Sequence, residues 1–100
     1  MKKIGIMISS RPKSAEFEKG MATAQKALAH AQVYLYLIDS AVEAMPDPRF
    51  EKFKSAGGHL FVCAYSVQKR GLNPSTPATQ TGLTILSDIM SSTDEFHSFN

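Results

Sequence analysis

The chain has 100 residues, of which 43% are hydrophobic and 20% charged, a balance that excludes a disordered chain and allows one core rather than two. Its formal net charge is only +2, and the basic residues are scattered, so a nucleic-acid surface built on a dense basic patch has no support. The single cysteine excludes an internal disulfide and fits a reducing compartment.

The opening MKKIGIMIS carries two lysines, but its apolar run is too short for a signal-peptide core or a membrane span. It reads as a first strand, Lys3 to Ser9, apolar at nearly every position and so covered on both faces. These features predict a soluble, cytoplasmic protein. Ser9-Ser10-Arg11-Pro12-Lys13-Ser14 forms a polar loop in which Pro12 disfavours helix at Arg11. A first helix is expected over Ser14 to Ala31, with Ser14 as N-cap and Glu16 and Glu18 suited to its first turn. Phe17, Met21, Ala24, Leu28 and Ala31 recur at helical spacing and form one apolar stripe, while Gly20 is a weak point in it.

Val33 to Ile38 is a second strand with bulk on both faces. Asp39 and Ser40 follow at its carboxyl end, where Asp39 serves equally well as a site residue or as a cap for what comes next. Arg49 to Ser55 is a short helix burying Phe50 and Phe53. Gly57 and Gly58 make a turn, and His59 to Val62 is a short buried strand. Cys63 lies where this strand stops, Ala64 to Arg70 continues as a helix, and Gly71 ends it. The segment from Asn73 to Thr81, rich in Pro, Ser and Thr, is loop-like. Gly82 to Leu86 (GLTIL) reads as a fourth strand, Ser87 to Ser92 as one or two helical turns, and Glu95 to Phe99 as a fifth strand at an edge. This alternation predicts one α/β domain over residues 1–100, a three-layer α/β/α fold with a mostly parallel five-stranded sheet.

Few chemistries survive the residue inventory. There is no CxxC pair, no zinc-ligand spacing, no P-loop and no GxGxxG, so neither metal nor cofactor is expected. A cysteine-phosphatase loop is excluded because six residues, not five, separate Cys63 from Arg70. None of His30, His59 and His97 is expected on the rim that carries Cys63.

What remains is a thiol at a strand-to-helix junction. Unpaired backbone N–H groups of residues 64 to 66 there would favour the thiolate. Ser66 and Arg70, one and two turns on, fall on the cysteine's side of the helix, and Tyr65 lies beside it. Parallel strands would bring Ser9, Ser10, Arg11 and Asp39 to the same rim, where open α/β sheets bind ligands. The competing reading of Cys63 is a small buried hydrophobe.

The segment VCAYSVQKRGL, following an apolar strand and a glycine turn, resembles the cysteine motif of the DsrE/DsrF-like family, which includes the TusD-type sulfur relay proteins. The match is Cys63 with Arg70-Gly71. KIGIMIS with its Ser/Pro loop, LIDSAV and DEFHSF are similar to the family as well. The resemblance implies a sulfur carrier whose Cys63 becomes a persulfide, working in a homo- or hetero-oligomer between sulfur donor and acceptor proteins. Two other readings stand beside it. One is a non-catalytic oligomeric interaction module; the other is a small-ligand-binding domain using the loops at Ser9–Ser14 and Asn73–Thr81.

Overall fold

Five short runs of β-forming residues make the strands of the computed structural model, which describes residues 1–73 and 78–100. They are β1 (Lys2–Ile8), β2 (Ala31–Leu37), β3 (His59–Cys63), β4 (Thr79–Thr81) and β5 (Glu95–Phe99). All pair in parallel, in the order β4-β3-β2-β1-β5. The helices are α1 (Ala15–Ala27), α2 (Pro48–Ser55), α3 (Ala64–Lys69) and α4 (Leu83–Ser92), with a 3-10 segment at Asp39–Ala44.

Strand order and the handedness of crossovers fix the layers. From β1 to β4 the chain steps steadily toward one edge. It then returns across the sheet, from β4 to β5. Right-handed crossovers require the returning helix to lie on the opposite face from the others. The packing shows this arrangement. On one face Ile4, Ile6, Ile8, Val33, Leu35, Leu37, Leu60 and Val62 meet Phe17 and Met21 of α1, Val42 of the 3-10 segment, Phe50 and Phe53 of α2, and Val67 of α3. On the other face Tyr36 and Cys63 meet Ile89 of α4, with Tyr34, Phe61, Ile85, Leu86 and Phe96 around them. The expected three-layer architecture is therefore present, with a sheet that is parallel throughout.

Two glycines let the helices close on β1 from both sides. A Cβ on Gly20 of α1 would stand 2.6 Å from Ile8, and one on Gly5 of β1 would stand 2.7 Å from Ile89 of α4. Gly20, a weak helix former by propensity, is a packing requirement here.

Caps and termini follow local chemistry. Ser14 Oγ accepts from the Phe17 amide at 3.2 Å and Asp47 Oδ1 from the Arg49 amide at 2.9 Å, so both helices start on side-chain caps. Arg49 also donates to both Glu18 carboxylate oxygens, tying α2 to α1 beside the edge-to-face pair Phe17–Phe50. The Arg49 guanidinium, which donates to the Asp47 carboxylate as well, holds the Glu18 and Asp47 carboxyls below their usual range.

Three sequence boundaries need correction. The first helix ends at Ala27, and Ala31 already pairs with Lys2 as the first residue of β2. GLTIL is not a strand: Gly82 is the N-cap and Leu83 the first residue of α4. The fourth strand is instead Thr79–Thr81, inside the segment expected to be loop, of which Pro74 to Pro77 lie outside the described residues.

Candidate functional site

β3 delivers its side chains alternately to the two faces. Leu60 and Val62 enter the larger core, whereas Phe61 and Cys63 point to the α4 side. Cys63 is the last residue of β3 and the N-cap of α3, with extended backbone (φ −70°, ψ 113°). Its Cα partner across the ladder is Thr81, the last residue of β4. From these two adjacent strand ends the chain leaves in opposite directions, into α3 on one face and α4 on the other. Both strand ends lie on the carboxyl rim of the sheet, whereas the strand order reverses two strands away, between β1 and β5.

The thiol is nevertheless covered: Cys63 is 3% exposed and makes no capping hydrogen bond to α3. The stabilisation expected from the amides of residues 64 to 66 is thus not in place. α3 has only six residues, and the cysteine side chain turns away toward Tyr36. Tyr36 belongs to β2, yet its hydroxyl donates to the Gly82 carbonyl at 3.1 Å, with the Thr81 carbonyl at 3.4 Å. Since β3 lies between β2 and β4, the phenol reaches over β3 to the start of α4. Burial pushes the Tyr36 hydroxyl up from its ordinary titration range, and the neighbouring Cys63 adds to the shift. Thr81 Oγ1 is also buried, with no hydrogen-bond partner. A thiol, a phenol and an orphan hydroxyl therefore share one enclosed corner.

The other expected site residues divide among separate tasks. Ser66 is buried, but its Oγ accepts from the Asp39 amide at 3.0 Å and so clamps the end of β2 to α3. Asp39 adopts a left-handed backbone (φ 54°) to present that amide. Ser9 Oγ donates to Asn100 Oδ1 at 2.7 Å and Ser10 Oγ to the Phe99 carbonyl at 3.2 Å, tying β5 to the rim. They sit at the end of β1, about 10 Å from β3 by strand spacing. Arg11 is exposed in that loop. Arg70 turns to Glu43, its Nε 3.2 Å from Oε2, and Tyr65 is 69% exposed under the Lys69 ammonium. The structure thus joins Asp39 with Ser66 on the rim, and none of these side chains joins the Cys63 cluster.

Sequence reasoning missed Tyr36 and Thr81. Tyr36 was legible in principle: a tyrosine two residues before the end of a buried strand needs a partner for its hydroxyl. Thr81 was not, because the strand that positions it has three residues and no hydrophobic pattern.

No protein-family model matches this sequence, and no curated protein matches it either. Among the described residues there is no cluster of His, Cys, Asp and Glu able to hold a metal ion, and no helix is long and apolar enough to cross a membrane.

Proposed function

We propose that the protein is a sulfur carrier of the DsrE/DsrF-like kind, in which Cys63 accepts sulfur as a persulfide and relays it. The supporting observation is the placement of the only cysteine at the carboxyl end of β3, on the rim where parallel α/β sheets bind ligands. The chemistry asks little of its surroundings. The Cys63 thiolate attacks the terminal sulfur of a donor persulfide, the donor S–S bond breaks, and the donor leaves as thiolate. An acceptor thiolate then takes the same sulfur from Cys63 by the same exchange. No metal or external oxidant enters either step. A reducing, cytoplasmic setting belongs to this reading, as does an oligomeric state with related or identical subunits.

Incubation with a low-molecular-weight persulfide, followed by mass spectrometry, should show one added sulfur on Cys63 and none in Cys63→Ser. A wild-type protein that stays unmodified while the same donor loads a control thiol would end the proposal.

A second reading, the interaction module, draws on a different observation. Leu83 and Met90 of α4 are 60% and 53% exposed and, seven residues apart, lie on one face of the helix. In that case Cys63 is a packing residue. Sedimentation would show one oligomer size in wild type and Cys63→Ser, and the thiol would take no sulfur.

A further inference from the structure

A carrier thiol at 3% exposure cannot meet a donor unless part of the fold moves. Cys63 packs under Ile89 of α4, with Ile85 and Leu86 nearby, and the junction of β4 and α4 brings that helix into place; four features make the junction weak. β4 is three residues long, lies at the sheet edge and pairs with β3 alone. α4 begins at Gly82 with no side-chain cap. Its first residue, Leu83, is largely exposed and holds nothing down. Thr81 Oγ1 is buried without a partner, a penalty that water would relieve on opening. Against these stand the short ladder to β3 and a side-chain tether from β2, the Tyr36 hydroxyl on the Gly82 carbonyl.

We propose that residues 79–83 form a latch that holds α4 over the Cys63 thiol, that the Tyr36 phenol keeps it shut, and that the buried Thr81 hydroxyl biases it to open. Opening breaks the phenol–carbonyl bond, hydrates Tyr36 Oη and Thr81 Oγ1, and uncovers the sulfur while the larger core on the other face stays packed. Local openings of this kind draw on segments with few buried contacts, as here. The inference rests on the sulfur-carrier reading for its purpose, but the latch itself is tested without any sulfur donor.

The test is the rate of Cys63 alkylation by iodoacetamide in the whole chain, as a function of urea below the unfolding transition. Wild type should react through an opening whose urea dependence is much weaker than that of global unfolding. Tyr36→Phe keeps the ring and removes the tether, so alkylation should accelerate about 3- to 10-fold, the range of one lost hydrogen bond. Thr81→Val keeps the shape and removes the orphan hydroxyl, so alkylation should slow several-fold. The opposite signs matter, since general destabilisation accelerates both variants. Unchanged rates in both variants, acceleration in both, or a wild-type rate following global unfolding would each overturn the latch. A thiol that opens as described yet takes no sulfur from a persulfide would overturn the carrier reading and leave the latch standing.

Discussion

On one face of the sheet, four helical segments bury Phe17, Met21, Phe50, Phe53 and Val67 against a layer of Ile, Val and Leu. On the other, α4 is the only helix among the described residues; Ile89 is its one buried residue, while Leu83 and Met90 face outward. The sequence of α4 is no less apolar than that of α1, so the difference does not come from composition. It comes from topology: three crossovers run on one side and a single return runs on the other. The well-covered face fixes the fold, and the thinly covered face is where the thiol, the phenol and the orphan hydroxyl are found.

Substitutions should expose this asymmetry. The largest effect is expected on the packed face, where Phe50→Ala should cost about 3–5 kcal/mol in urea-induced unfolding, because the ring is fully enclosed. Next comes the contact between β1 and α4. Gly5→Val would drive its side chain into Ile89 and Phe96, so destabilisation of about 1–3 kcal/mol is expected by the same measurement. A cost near zero would mean that α4 rides loosely on the sheet.

Charge gives a smaller effect on the packed side. Asp47→Ala removes the α2 cap and one Arg49 partner, for about 1 kcal/mol. Because the folded Asp47 and Glu18 carboxyls titrate lower than they would in the unfolded chain, their contribution is present above the ordinary carboxylate range. It is lost as the pH falls through their lowered values. Acid titration followed by circular dichroism should show this loss, and Arg49→Met should flatten it. Tyr36 has the opposite sign. Its folded hydroxyl titrates above the ordinary tyrosine value, so stability should decline once the pH exceeds about 10, as the unfolded chain releases that proton first. Tyr36→Phe should remove that alkaline component. The smallest effect is expected for Leu83→Ala, within about 0.5 kcal/mol, because the side chain is mostly in water already.

Much of the packed face was legible in the sequence, and little of the other was. The stripe Phe17, Met21, Ala24 and the continuous apolar runs of β1 and β2 carry strong periodic signals that local and tertiary forces both favour. GLTIL misled because five apolar or β-compatible residues fit a buried strand as well as the first turn of an apolar helix. Its length could not decide between them. Cys63 at the strand end was placed correctly, yet its exposure could not be read, because Tyr36 comes from another strand and Gly82 from a junction after β4. Ser66 was expected beside the thiol on helical spacing alone; the left-handed turn at Asp39, which claims its hydroxyl, leaves no such periodicity.

β5 is the last strand in the chain, yet it pairs with β1, the first. The Ser9–Asn100 and Lys3–Asp94 bonds each span 91 positions. β1 therefore keeps an open flank during synthesis until residues 95–99 emerge, and closure must bridge 91 positions. Non-local pairing of this kind slows folding. Removing residues 95–100 would strip β1 of the neighbour on that side.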